Sequence, residues 1–156
     1  MISENELAYF AGLFDGEGCV LIYKRKTLIE NGVTVPYQMR VVVTNTHQGV
    51  IEDLKRTFRG SIYAYKPTGG RPAWKWTAQC KAGSEFLKLV YPYLRIKKEQ
   101  ADVALEFQGL ISKSRHRKHP GFYGQPRISP EDIEKRDNLA QRILDLRKPV
   151  HQLQIH

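Results

Sequence analysis

Apolar and polar positions along the chain repeat with two different periods, and stretches of the two kinds alternate. Ser3-Glu4-Asn5-Glu6 reads as a capping box, in which Ser3 accepts from the backbone at Glu6 and Glu6 reaches back. The helix it opens runs to about residue 15, with Leu7, Phe10, Ala11 and Phe14 on its apolar face. Gly16 and Gly18 end it. Residues 19–26 have the β-branched and aromatic content of a strand, Asn31-Gly32 marks a turn, and Pro36 opens a second strand. From Tyr37 the alternation is strict: Tyr37, Met39, Val41 and Val43 face one way, and Gln38, Arg40, Val42 and Thr44 the other. Only Val42 spoils the polar side, so this is a half-buried antiparallel strand. Val50, Ile51, Leu54 and Phe58 return to helical spacing, which Gly60 ends. Residues 61–66 form another strand, 67–72 a Gly/Pro loop, and 73–80 a strand alternating Trp74, Trp76 and Ala78 with Lys75, Thr77 and Gln79. Helices follow at about 83–91 and 97–112, separated by Pro92. Ser129-Pro130-Glu131-Asp132 is a strong helix start, and that helix should stop near Arg147, before Pro149.

The order is helix, two strands, helix, two strands, then helices: two similar αββ halves in an α+β chain. Hairpins with every helix on one side leave the opposite sheet face free. The organisation expected is a core domain over 1–112, a basic linker over 113–128, and a helix of the same domain over 129–148. Ala8, Gly12 and Gly16 stand four apart, one above the other. Such a row lets a second helix approach backbone to backbone. The alternative is that Gly12 is a tolerated defect, costing about 1 kcal/mol against Ala.

Composition adds little until charge is considered. With 41% hydrophobic and 26% charged residues in 156, the chain is ordinary for one globular domain. Its apolar runs are too short for a membrane span, and its first residues lack the pattern of a secretory signal. Two cysteines, Cys19 and Cys80, suit a reducing compartment. The expectation is a soluble intracellular protein, in a bacterial or phage cytoplasm or an organelle, with no membrane partner. Charge is more telling: 25 Lys and Arg against 16 Asp and Glu give +9, with a pI near 9.6. Residues 1–18 hold four acids and no Lys or Arg, whereas residues 19–82 hold eleven bases against three acids. A basic middle beside an acidic opening suggests a phosphate-binding surface with a carboxylate site set into it.

Several motifs fall away. Asp15-Gly16-Glu17-Gly18 lacks the distal Glu of a calcium loop. It also ends a helix, where a nucleotide cradle would open one. His116 and His119 have no cysteine pair at zinc-finger spacing. The run Lys113, Arg115, Arg117 and Lys118 is either a solvated linker or a contact to a nucleic-acid backbone.

What remains is Leu7 to Gly18, and here the sequence resembles the LAGLIDADG homing endonucleases, including the maturases built on the same fold. Phe10-Ala11-Gly12-Leu13-Phe14-Asp15-Gly16-Glu17-Gly18 has the small residues and both acids in the family's register. Tyr91-Pro92-Tyr93-Leu94-Arg95-Ile96-Lys97-Lys98-Glu99-Gln100 is similar to its second landmark. The resemblance covers roughly residues 5–112 and implies an αββαββα homing-endonuclease fold whose antiparallel sheet forms a DNA-binding saddle, with the helices on the other face.

A single motif implies half an enzyme: two copies would pack through Ala8, Ala11, Gly12 and Asp15 about a twofold axis. Each copy would bring one Glu17 to that axis, where carboxylates suit Mg²⁺, with Ca²⁺ or Mn²⁺ substituting in binding. By resemblance, the Gly16 carbonyl is also a metal ligand, Lys97 is the basic active-site residue, and Asn45 orders the attacking water. An Arg that some members have on the next turn falls near Gly49 here. DNA contacts are expected from Tyr23, Arg25, Gln38, Arg40, Lys75 and Thr77. Tyr63 and Tyr65 share that face or belong to the core, and Lys24, Lys26, Lys66 and Arg71 rim the surface. The implied activity is metal-dependent cutting of both strands of a long, pseudo-palindromic double-stranded DNA site, leaving short 3′ overhangs. An intron-RNA-binding maturase and a non-cleaving DNA-binding regulator are the alternatives.

Overall fold

In the computed structural model, residues 1–24, 27–29, 32–34, 37–115 and 129–148 are described. The first helix, α1 (Glu4–Glu17), opens on the expected capping box, with both reciprocal hydrogen bonds between Ser3 and Glu6 in place. That bonding, the backbone N–H of Ser3 first, holds the Glu6 carboxyl below the usual carboxylate range. The helix runs through Gly16 and ends on Glu17, two residues beyond its expected end. Gly18 caps it, donating to the Phe14 carbonyl. A Cβ at Gly18 would lie 2.0 Å from the Phe14 ring, so only glycine permits this helix-to-strand turn.

Strand β1 (Gly18–Lys24) is followed by a small antiparallel pair, β2 (Thr27–Ile29) and β3 (Gly32–Thr34), around the expected Asn31-Gly32 turn and beyond the strand expected over 19–26. Then come β4 (Tyr37–Asn45), α2 (Gln48–Phe58), β5 (Ser61–Tyr65) and β6 (Ala73–Gln79). The main sheet has the order β1-β4-β6-β5, and every pairing is antiparallel. Helix α3 (Cys80–Val90) starts directly from β6, three residues earlier than expected, and a 3-10 turn (Tyr91–Tyr93) leads towards α4 (Lys98–Arg115). Residues 113–115 therefore extend α4 instead of opening a linker, and His116, Arg117, Lys118 and His119 lie outside the described residues. Helix α5 (Pro130–Arg147) begins on its Ser129 cap, as the sequence predicts.

The core lies between the sheet and one helical layer. Val20, Ile22, Tyr37, Met39, Val41, Val43, Trp76 and Ala78 face inwards from β1, β4 and β6. An aromatic cluster joins the layers: the Phe86 ring meets Phe58, Trp76 and Phe14 edge-on at 4.8, 5.1 and 5.5 Å between centroids. Helix α5 covers α4 and β1, burying Arg136, Leu139 and Ile143. The inward set is the odd-numbered half of β4, matching its alternation. No helix among the described residues is long and apolar enough to cross a membrane.

Candidate active site and nucleic-acid interface

Helix α1 presents two different faces. Phe10, Ala11, Phe14 and Asp15 are buried in the chain's own core. Ala8, Gly12 and Gly16 are exposed in a row on the other side, and a Cβ at Gly12 or Gly16 would meet nothing within 4 Å. Ala11 therefore belongs to the core and not to an outward contact surface, because helical spacing puts it on the same face as Phe10 and Phe14.

Asp15, too, is buried and not on the outward face. Its carboxylate faces inwards and accepts from the backbone N–H groups of Arg95 (2.8 Å) and Lys97 (2.9 Å). It braces the chain internally and does not stand in the exposed row. The clasp is reciprocal, since Lys97 Nζ donates to the Asp15 carbonyl oxygen. That amine also lies 6.0 Å from the Phe14 ring centroid. The C-terminus of a helix carries partial negative charge, so a cation is favourable there. The geometry brings Lys97 to the very turn that ends in Gly16 and Glu17.

Glu17 is exposed and makes no ion pair among the described residues. A carboxylate at a helix C-terminus faces the unfavourable end of the macrodipole. A cation held by Glu17 and the nearby main-chain oxygens would relieve that. The donors are all oxygen, which fits a hard divalent ion that keeps several waters. Among the described residues no three His, Cys, Asp or Glu side chains gather around a metal position. Further ligands would therefore come from water, phosphate or a second copy.

Asn45 ends β4, and its side-chain oxygen accepts from the His47 N–H at 2.8 Å. His47 caps α2 through Nδ1, which accepts from Val50 N–H at 3.3 Å. Asn45 and His47 line a hollow of about 250 Å³ together with Tyr9 and Leu13 of α1. Asn45 thus sits beside the outward side of α1, and its amide nitrogen has no partner among the described residues.

The open sheet face follows from register, because directly opposed residues point the same way. Tyr23 opposes Gln38, Thr44 opposes Lys75, and Lys75 opposes Tyr63. Tyr23, Gln38, Arg40, Lys75, Tyr63 and Tyr65 therefore share one face, and the two β5 tyrosines are exposed rather than core. Lys75 Nζ lies 4.8 Å from the Tyr65 ring centroid. Thr77 is on this face but buried, forming the floor of a hollow of about 290 Å³ beside Arg40, Tyr63, Tyr65 and Lys75. It is not a free contact. Lys66 and Arg71 are exposed beside and within the β5–β6 loop. Arg25 and Lys26 lie outside the described residues.

Lys24 points the other way. It pairs with Asp137 of α5 at 2.5 Å and sits 5.4 Å from the Tyr37 ring centroid, so it ties the helical layer to β1 instead of rimming the open face. Its parity with Val20 and Ile22 was the available signal. Tyr37 also donates its hydroxyl to Asp137. The hydrogen bond from Lys24, then that from Tyr37, holds the Asp137 carboxyl below its ordinary value. The same bond to Asp137 raises Lys24. Burial, and then the Asp137 hydrogen bond, pushes the Tyr37 hydroxyl up.

Comparison with known proteins adds a family and a fold. The sequence profile of the LAGLIDADG endonuclease family matches residues 10–108. No curated protein matches the chain. Among solved structures, it is similar to the archaeal intron-encoded homing endonuclease I-Vdi141I complexed with DNA (14% identity, TM-score 0.72, covering 95% of this chain and 87% of that one). It is also similar to the homing endonuclease I-CvuI in complex with its target in the presence of Ca (16%, 0.68, 96% and 86%). The meganuclease I-SmaMI bound to uncleaveable DNA matches as well (15%, 0.66, 86% and 43%). At these identities the likeness is one of fold.

Proposed function

Because this chain belongs to the LAGLIDADG endonuclease family, we propose that it is a site-specific double-strand DNA endonuclease that works as a homodimer on a long, pseudo-palindromic target. The observation that carries this reading is the end of α1, where an exposed Glu17 and a Lys97 anchored on the Asp15 carbonyl converge on one helical turn. A pure binder has no use for an unpaired acid facing phosphate, where it weakens affinity.

Each side chain has a role that follows from its setting. The basic open face holds the duplex, with Lys75, Lys66 and Arg71 towards phosphates. Glu17 and the Gly16 carbonyl would hold the cation, which supplies positive charge beside the scissile phosphate. Lys97, fixed by the clasp, offsets charge that builds on the phosphate oxygens as the leaving oxygen departs. Asn45 has its oxygen engaged by His47, so its N–H₂ group is left to orient the attacking water. Two copies packed through Ala8, Gly12 and Gly16 would present two Glu17 carboxylates, one per strand, leaving short 3′ overhangs.

The test is cleavage of a randomised double-stranded DNA library with Mg²⁺, followed by sequencing of the new ends. The wild type should cut at a palindrome-like site, with Glu17→Gln binding that site but cutting at least about a hundredfold more slowly. Tight binding of DNA or intron RNA without any cutting would overturn the nuclease reading in favour of a regulator or a maturase.

A further inference from the structure

On the open face, three side chains form a directed chain of hydrogen bonds. Arg40 Nη2 donates to the Tyr23 hydroxyl at 2.7 Å, and that hydroxyl donates to Gln38 Oε1 at 2.9 Å. A guanidinium has donors only, so the Tyr23 oxygen accepts from Arg40, and its single hydrogen is available for Gln38. With Gln38 turning its oxygen inwards to accept it, the Gln38 N–H₂ group has no partner among the described residues. The guanidinium also lies 5.2 Å from the Tyr23 ring centroid, held from a second direction. Arg40 Nε is buried and has no hydrogen-bond acceptor among the described residues, so the group's accessible donors are on its terminal nitrogens.

The outcome is a rigid patch that offers donors from two adjacent residues of β4. In the major groove, guanine shows two acceptors, N7 and O6, whereas adenine pairs one acceptor with a donor and cytosine shows a donor. Resting on the endonuclease reading above, we propose that Tyr23 is a positioning residue that locks Arg40 and Gln38 into one unit selecting guanine in the target. Arg40 is the base-reading member. Tyr23 acts through it and touches no base of its own, so its loss should change which sequence is bound more than how tightly DNA is held.

The experiment is selection of bound duplexes from a randomised double-stranded DNA pool in Ca²⁺, by the wild type, Tyr23→Phe and Arg40→Lys. Tyr23→Phe keeps the ring beneath the guanidinium and deletes only the bridging hydroxyl. A preference for guanine of about tenfold or more is expected at one position of each half-site in the wild type. It should shrink to within about threefold in Tyr23→Phe, and Arg40→Lys should lose it. The slope of log affinity against log salt should stay unchanged in Tyr23→Phe, since no phosphate contact is removed. Gln38→Ala is the second probe, and it should weaken the same guanine preference by releasing the last link. An unchanged preference in Tyr23→Phe, or an even loss across all sequences, would overturn the proposal while leaving the endonuclease reading intact. Failure of the wild type to select any duplex would sink both.

Discussion

Asp15 and Glu17 stand two residues apart in the same helical turn, yet α1 gives them opposite fates. Helical rotation sends Asp15 into the core with Phe14, and Glu17 out to solvent. Each Asp15 oxygen takes one backbone N–H, and a carboxylate is the side chain that can accept both without offering a donor in return. Asp15→Asn should therefore destabilise the protein by about 1.5–3 kcal/mol, read as a lower denaturant midpoint. It should also slow cutting, because the same segment places Lys97. Normal stability in that variant would show that the clasp is incidental. The acid pair and its spacing were legible in the sequence, and so was the basic residue after the 91–93 turn. The clasp between them was not, because it joins backbone N–H groups to a side chain 80 residues away, and no local pattern records such a pairing.

At the scale of elements, periodicity found most of the fold, and it failed where a local rule had a competitor. Gly16 reads as a helix stop, but the helix continues through it because Phe14 and the Gly18 cap hold the next turn. The β2–β3 hairpin was missed because each of its strands is only three residues long. Parity on β4 placed Gln38 and Arg40 correctly, and the same parity on β1 would have sent Lys24 to the helical side. The exposed row on α1 leads to the second prediction: Gly12→Leu should weaken dimerisation and cutting together. An undisturbed dimer on sedimentation of that variant would remove α1 from the interface. Docking of α5 should depend on pH. Asp137 is lowered in the fold, so its contribution is present above the ordinary aspartate range and fades as pH falls through its depressed value. Lys24 is raised, so its contribution is present below the ordinary lysine value and fades as pH rises through the elevated one. Amide protection in residues 130–147, taken relative to the intrinsic exchange rate at each pH, should be greatest between those limits and should fall in acid. Asp137→Asn should remove the acid-side change, and protection flat down to about pH 3 would contradict the tie.

For the whole molecule, the surplus of nine positive charges is the property that composition alone could read. On the endonuclease reading, affinity for DNA should fall by about a thousandfold or more between 50 and 200 mM salt, as counterions compete for six or more phosphates. A shallow dependence would mean that the open face holds DNA without its lysines and arginines. On the same reading, recognition and cutting come from different layers, since Arg40 and Tyr23 lie on the open sheet face and Glu17 ends a helix of the other layer. The Asp15–Lys97 clasp also fixes an order of events in the life of the chain. Its two halves are 82 residues apart, so closing it takes one of the longest loops in the core and must follow much of the sheet's formation. A chain emerging from the ribosome has its whole acidic helix early, but it has no Lys97 to complete the turn until most of the domain has been made. On the endonuclease reading, the hydrolytic centre is thus assembled late, and a truncated product would carry the acids without the means to use them.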